Sequence, residues 1–167
     1  MKNSETELKL VYKNKKSVVS IIKEIGAKKK SSFKLHDIYF GKEDMSNKNQ
    51  LLRLRSRDKN YELTFKGKCK SKGHIWKRTE ITVPLQEIKK IQQILNALNF
   101  RKISENKSRR EIWDLNGLEI VFIDFFFPKK IKIIEIEGKK SKIQSTFEKL
   151  KDVATPVGED IFEDFDN

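Results

Sequence analysis

Residues 51–67 read LLRLRSRDKNYELTFKG, a stretch in which two alternating strands flank a short polar turn. Successive side chains of a strand point to opposite faces of its sheet, so each of these strands has one apolar and one polar face. The polar faces carry Arg53, Arg55 and Arg57 in the first strand and Glu62, Thr64 and Lys66 in the second. The turn residues Asp-Lys-Asn at 58–60 predict that the two strands pair as an antiparallel hairpin.

The same alternation of apolar and ionisable residues recurs in three other segments. Its ionisable members are Glu5, Glu7 and Lys9, then Arg78 and Glu80, and finally Glu135 and Glu137. With the remaining apolar runs, the pattern predicts eight strands, at 4–12, 36–40, 51–57, 60–67, 75–83, 107–115, 118–126 and 131–138. Helical spacing predicts three helices, at 17–26, after Pro84, and from Ser141 onward.

Eight strands joined mostly by short turns predict an α+β fold built on an antiparallel sheet. Eight is also about the number of strands that closes into a small barrel with room for one ligand. The apolar stripes of the helices must cover the apolar faces of the strands, which leaves the charged faces on the inside. We therefore expect an eight-stranded antiparallel β-barrel, a tunnel, with the helices packed outside.

Length and composition indicate a single domain and argue against membrane, disulfide-rich and thiolate-zinc proteins. The 167 residues suit a single domain, 1–167, and the absence of an 18-residue apolar run argues against a membrane helix. The chain starts without an apolar signal region, so we expect a cytoplasmic protein without a membrane partner. One cysteine, Cys69, supports neither a disulfide framework nor a thiolate zinc site. The acidic end, 158–167, predicts either a short docking helix or a frayed tail.

The formal net charge is +13, which is typical of proteins that bind nucleic acid, membrane surfaces or phosphate-rich ligands. The chain is also rich in Lys, Ile and Asn, as AT-rich coding sequence tends to produce. Net charge therefore leaves a nucleic-acid partner open without favouring it.

A lumen lined by both carboxylates and guanidinium groups is costly to desolvate unless a charged ligand occupies it. A polyphosphate with divalent ions meets this condition, because carboxylates bind Mg²⁺ or Mn²⁺ while Arg and Lys pair with phosphate oxygens. For any one strand the commoner explanation is a solvated outer face with cross-strand ion pairs. The recurrence of the pattern in five strands favours the lumen.

The order of the charged motifs resembles that of the CYTH superfamily, also called the triphosphate tunnel metalloenzymes. The segments that carry the resemblance are ETELK at 5–9, HDIYF at 36–40, LRLR at 52–55, LTFKG at 63–67, RTE at 78–80, Arg110 before Trp113, and EIE at 135–137. They cover about residues 4–138 in the expected order. The family often has Lys two residues before the Arg110 position, whereas this chain has Ser108 there.

The resemblance implies roles for individual residues. One or two divalent ions, Mg²⁺ or Mn²⁺, would be held by Glu5, Glu7, Glu135 and Glu137, with Asp124 and Glu80 as further candidates. The phosphates would be gripped by Lys9, Arg53, Arg55, Lys66, Arg78 and Arg110, with Lys107 or Arg109 replacing the missing lysine through a bulge. Lys9, Glu5 and Glu7 are the candidate catalytic residues, because the lysine equivalent to Lys9 takes part in activating water in some relatives.

The implied activity is that of a class IV adenylyl cyclase, which converts ATP to cyclic AMP and pyrophosphate. One alternative is a triphosphatase acting on inorganic triphosphate, thiamine triphosphate or a nucleoside triphosphate. Another, of a different class, is a non-catalytic module that binds polyphosphate or RNA ends. The expected partner is ATP or another triphosphate compound, and a homodimer is allowed.

Overall fold

The computed structural model of the protein describes residues 4–46 and 49–158. The strands in these residues are β1 (Glu5–Tyr12), β2 (Lys28–Gly41), β3 (Leu51–Arg57), β4 (Asn60–Lys66), β5 (Lys70–Lys72), β6 (Ile75–Arg78), β7 (Glu80–Leu85), β8 (Arg101–Leu115), β9 (Leu118–Phe127), β10 (Lys132–Glu137) and β11 (Ala154–Pro156). The helices are α1 (Lys15–Glu24), α2 (Glu43–Ser46), α3 (Ile88–Ala97) and α4 (Lys140–Leu150).

All strands belong to one sheet, whose neighbours pair in antiparallel fashion. The order is β5-β6-β1-β10-β9-β8-β2-β3-β4-β7, and β11 pairs with β1 beyond the end of β6. The strands β6 and β7 do not pair with each other, but Thr79 alone separates them in the chain. One stretch of chain therefore pairs with β1 at its beginning and with β4 at its end, and so joins the two ends of the sheet.

This connection confirms the expected tunnel architecture. Its eight walls are β1, β10, β9, β8, β2, β3, β4 and the β6–β7 stretch. The amide nitrogen of Gly67 donates to the carbonyl oxygen of Thr79 at 2.8 Å, which holds the middle of that stretch against the end of β4.

The helices cover the outer faces of the strands, as the apolar stripes require. One buried cluster joins Val18 and Ile22 of α1 and Ile143 of α4 to Leu8 and Leu10 of β1. A second cluster places Leu95 of α3 against β2 and β3. Because the apolar residues of β1 alternate with Glu7 and Lys9, burying them under helices turns the charged residues inward.

The described residues contain eleven strands and four helices, whereas eight strands and three helices were predicted, and two of the predicted strands are longer in the structure. The strand expected at 36–40 extends over Lys28–Gly41, and the one expected at 107–115 begins at Arg101. The polar run at 28–34 lacks apolar alternation, but β8 pairs with it along its length and supplies its backbone hydrogen bonds. Within the described ranges no helix is long and apolar enough to cross a membrane. The predicted docking helix or frayed tail falls mostly on residues 159–167, outside the description.

Candidate active site

The inner faces of the strands line a cavity of about 850 Å³. Residues from nine strands and from the segment before β3 contribute to its wall. The ionisable groups are six acidic ones, Glu5, Glu7, Glu62, Glu119, Glu135 and Glu137, and six basic ones, Lys9, Arg53, Arg55, Lys66, Arg78 and Arg110. The wall is therefore formally neutral although the whole chain carries +13.

Carboxylates gather on the wall formed by β1, β10 and β9. The strand pairing sets Glu7 beside Glu137, and Glu137 beside Glu119. Burial, followed by the charges of Glu119 and Glu7, raises the pKa of Glu137 to about 7. Burial, followed by the charge of Glu80, raises the pKa of Glu5 to about 8. Both shifts have the same main cause, which is burial of a carboxylate near other carboxylates, and for Glu5 it outweighs the opposing charge of Lys66.

These carboxylates have the donor chemistry of a site for a hard divalent ion. Across residues 4–46 and 49–158 no three acidic, histidine or cysteine side chains converge closely enough to form a complete ligand shell. The structure thus brings the predicted ligands to one wall without arranging them around a single point. Lys9 stands beside them, with its Nζ 3.6 Å from Oε1 of Glu7.

Two arginines on β3 form the opposite wall of the cavity. Arg55 donates from Nε and Nη2 to the two carboxylate oxygens of Asp37, each at 2.7 Å. Burial alone would raise the pKa of Asp37, but these hydrogen bonds and the charge of Arg55 lower it below its ordinary value. Arg53 donates from Nη2 to Oγ1 of Thr64 at 3.2 Å. The buried Asp37 therefore fixes the guanidinium of Arg55, which still lines the cavity.

Some cationic donors in the lumen have no protein acceptor. The Nε atoms of Arg53 and Arg110 are buried and lack a hydrogen-bond partner among the residues that the structure describes. Nη1 of Arg110 lies 3.4 Å from Oε2 of Glu135. Burial, followed by the charge of Arg55, lowers the pKa of Arg110. Guanidinium groups crowded together in this way favour an anionic ligand, because its oxygens would satisfy the donors and relieve the repulsion.

The lumen is charged only in part. On the inner face of β1 the charged Lys9 is followed by the apolar Val11, and on that of β10 the charged Glu135 is preceded by the apolar Ile133. An apolar cluster fills this part, made by Val121, Ile123, Phe125, Ile131 and Ile133 with Val11, Ile112 and Val157 against them. The charged groups are therefore concentrated in the remaining part of the tunnel.

Four candidate site residues, Lys107, Arg109, Asp124 and Glu80, do not line the cavity. Lys107 has its Nζ 5.6 Å from the ring centroid of Phe127. Arg109 is exposed on the outer face of β8, because the alternation of this strand places Asn106 and Arg110 on the cavity wall and turns Arg109 away from it. Asp124 lies on the same outer face of β9 as Phe122, which packs beneath the helices. Glu80 is buried and accepts a hydrogen bond from Lys66 Nζ, and although burial opposes the effect, the charge of Lys66 lowers its pKa.

Sequence reasoning missed Glu119, Asp37 and Glu62 as members of the site, although it placed Glu62 on the polar face of its strand. Glu119 is on the inner face of β9, but Val121 and Ile123 follow it on that face, so no ionisable alternation marks the strand. Asp37 was part of the segment HDIYF without an assigned role. Its strand alternation with Tyr39, which lines the cavity, was the available signal.

Comparison with known proteins assigns the fold to a family. The sequence profile of the CYTH domain matches residues 3–163. The chain belongs to the CYTH domain family. This CYTH domain is 30% identical over 155 residues to a protein of Methanocaldococcus jannaschii named "Putative adenylate cyclase MJ0240", with 88% of this chain and 87% of that protein covered.

Solved structures support the fold of this CYTH domain. The PH1819 protein of Pyrococcus horikoshii has a TM-score of 0.73 and 25% identity, with 95% of this chain and 96% of that chain covered. A Hippeastrum protein, HpAC1, has a TM-score of 0.74 and 16% identity, with 96% and 94% covered. The latter is described as an adenylyl cyclase candidate with a dominant triphosphatase activity.

Proposed function

We propose that this CYTH domain is a divalent-metal-dependent enzyme that cleaves a triphosphate compound inside its cavity. The observation that carries the proposal is the joint presence of a carboxylate wall and an arginine wall around one cavity of about 850 Å³. Carboxylates alone would repel a triphosphate. A site that only bound the triphosphate would need the cations and would have no use for the carboxylates. The two walls together suit a triphosphate bound with its metal ions.

The residues of the carboxylate wall fit the metal on the chemistry of their donors. Glu5 and Glu137 have raised pKa values because they are buried near other carboxylates, and a divalent cation would favour their charged forms. We assign Glu5, Glu7, Glu135 and Glu137 to Mg²⁺ or Mn²⁺ and add Glu119 from the structure. When bound, such an ion would neutralise charge on the phosphate oxygens and orient them for attack.

The basic side chains bind the phosphates and stabilise the charge that develops on them. Arg53 and Arg110 line the cavity and have Nε donors without an acceptor among the described residues, and Arg55 is held in place by Asp37. Fixed donors of this kind stabilise the charge that develops in a phosphoryl-transfer transition state without reorganising. We assign phosphate binding to these arginines together with Lys9, Lys66 and Arg78.

The reaction that we place first is conversion of ATP to cyclic AMP and pyrophosphate. The ribose 3′-hydroxyl attacks the α-phosphorus, the bond from that phosphorus to the bridging oxygen breaks, and pyrophosphate leaves. The name of the M. jannaschii relative supports this assignment. Both this reaction and hydrolysis require the same charged lumen.

Hydrolysis of the triphosphate is the second candidate, and the position of Lys9 favours it. Lys9 Nζ lies 3.6 Å from Glu7 on the carboxylate wall, where the pair could hold a water molecule and take up its proton as it attacks the terminal phosphorus. The bond from that phosphorus to the bridging oxygen breaks, and orthophosphate and a diphosphate are released. A non-catalytic binder of polyphosphate or RNA ends remains the contrasting class. It gives no reason for six inward glutamates.

Product analysis separates these functions. The protein would be incubated with ATP, tripolyphosphate or thiamine triphosphate and either Mg²⁺ or Mn²⁺, and the products resolved by chromatography. Cyclic AMP with pyrophosphate identifies the cyclase, whereas orthophosphate with a diphosphate identifies the hydrolase. Binding without any product would leave only the non-catalytic module.

The carboxylate assignment is tested by Glu5→Gln combined with Glu7→Gln, which should abolish metal-dependent turnover. The matched control is Glu87→Gln, a substitution of an exposed glutamate that pairs with Lys90 outside the cavity. Turnover that survives the double substitution would contradict the metal assignment. Loss of turnover in the control as well would indicate a general effect of the changed charge.

A further inference from the structure

A second cavity of about 280 Å³ lies beside the main one, toward the turn between β3 and β4. It is lined by Phe33 and Leu35 of β2, Arg55 and Arg57 of β3, and residues 60–62 of β4. Arg55 and Glu62 line both cavities. Nη1 of Arg55 is 3.7 Å from Oε1 of Glu62, so this ion pair forms the wall that the two cavities share.

The third arginine of the β3 alternation belongs to this second cavity. Arg53 and Arg55 line the main cavity, whereas Arg57 lines only the smaller one. The guanidinium carbon of Arg57 lies 3.5 Å from the ring centroid of Phe33, which indicates a close cation–π contact. Arg57 is exposed, and the phosphate site just described does not use it.

The chemistry of the smaller cavity differs from that of the larger one. Its wall includes the aromatic ring of Phe33 and the buried aliphatic side chain of Leu35. A guanidinium that rests on an aromatic ring still offers its outer face, on which a further flat ring can stack. Asn60 adds an amide that can both donate and accept hydrogen bonds. These features suit a planar heteroaromatic group better than a further phosphate.

We propose that the second cavity binds the heteroaromatic ring of a triphosphate substrate, such as a nucleobase. The inference rests on the proposed function, because the triphosphate of that substrate must occupy the main cavity. Because Arg55 and Glu62 line both cavities, the two sites are adjacent, and a substrate that spans them would place its ring in the smaller cavity and its triphosphate in the larger one. Arg57 and Phe33 then determine specificity, since they favour ring-bearing triphosphates over tripolyphosphate.

The test compares binding of two probes that resist turnover. One is an ATP analogue with methylene groups in place of both phosphate-bridging oxygens, and the other is the corresponding analogue of tripolyphosphate. Binding of each would be measured by calorimetry with Mg²⁺. The variants are Arg57→Lys, which keeps the positive charge and removes the planar guanidinium, and Phe33→Leu, which keeps the apolar bulk and removes the aromatic ring.

We expect each variant to weaken binding of the ATP analogue about tenfold, since stacking of one base contributes roughly one to three kcal/mol. Binding of the tripolyphosphate analogue should stay within twofold of wild type. The control is Lys59→Gln, which removes an exposed charge from the adjacent turn and should change neither affinity. Far-UV circular dichroism and the melting temperature would verify that the variants are folded.

The other outcomes are distinguishable. Equal weakening of both probes would mean that Arg57 and Phe33 act on the phosphate site or the fold, and would overturn the ring site. Unchanged affinity for both probes in folded variants would overturn it as well, while leaving the proposed function intact. If neither probe binds the wild-type protein, the proposed function fails, and the ring site fails with it.

Discussion

The buried pair of Asp37 and Arg55 allows a quantitative prediction about stability. The Asp37 side chain is fully buried, and both of its oxygens accept hydrogen bonds from Arg55 at 2.7 Å. Asp37→Asn keeps the shape and one oxygen acceptor but removes the charge. Arg55 would then lie buried near Arg53 and Arg110 without its principal counter-ion.

Removing one partner of a buried ion pair typically costs about 3–5 kcal/mol, and the retained amide oxygen places our estimate near 3 kcal/mol. With a urea m-value of about 1–3 kcal/mol/M, the unfolding midpoint should fall by about 1–3 M. At about 2–4 °C per kcal/mol for a chain of this size, the melting temperature should fall by about 6–12 °C.

The assay is urea unfolding followed by tryptophan fluorescence, with Glu87→Gln as the control. Glu87→Gln removes only the exposed ion pair with Lys90, so it should change the free energy of unfolding by less than about 1 kcal/mol. Because the folded-state pKa of Asp37 is lowered, its stabilisation is present above the ordinary pKa and is lost as the pH falls through the folded value. The substituted protein should lack this acid-dependent loss. A change at neutral pH as small as that of the control would refute the reasoning.

Three further predictions follow from other parts of the molecule. With a chelator present, the melting temperature should decrease from pH 5 to 8, because the raised folded-state pKa values of Glu5 and Glu137 favour the folded protein only while these carboxyls are protonated. Glu5→Gln should remove on the order of 1 kcal/mol of the pH-dependent change in the free energy of unfolding, after solvent screening. A rising or flat profile would contradict this. Calorimetry with tripolyphosphate should give at least roughly tenfold weaker binding for Arg110→Gln and wild-type binding for Arg109→Gln; the reverse order would restore Arg109 to the site. Gly138→Ala should lower the free energy of unfolding by roughly 1–3 kcal/mol, because φ of Gly138 is +148° and the new Cβ would lie 3.0 Å from Leu118 Cδ1. Chemical unfolding measures this loss, and an unchanged free energy would mean that the backbone adjusts freely.

Strand alternation made most of the site predictable from sequence. On β1, β3 and β10 charged residues alternate with mostly apolar ones, and the helices had to cover the apolar side. Local spacing was therefore enough to place Glu7, Arg53 and Glu135 in one lumen. The closing stretch at 75–83 was also predicted, although as one strand and not as two parts on either side of Thr79.

The errors arose where alternation does not distinguish the faces. Strand β9 is apolar on both sides, because its inner face contributes Val121 and Ile123 to the apolar part of the lumen while its outer face packs under helices. Asp124 was consequently assigned to the wrong face, and Glu119 was overlooked. The second cavity was not predictable either, since it depends on how β2 and the β3–β4 hairpin meet in space.

The position of β1 has a consequence for how the chain acquires its structure. This strand is near the start of the chain, yet its ladder pairs Glu7 with Glu137, and its other neighbours are β6 and β11. Such pairing gives the fold a high contact order, which slows folding because long loops must close before the contacts form. During synthesis on the ribosome, β1 stays without its pairing strands until β6, β10 and β11 have been made. A chain cut short before β10 would leave one of those edges open to association with other strands.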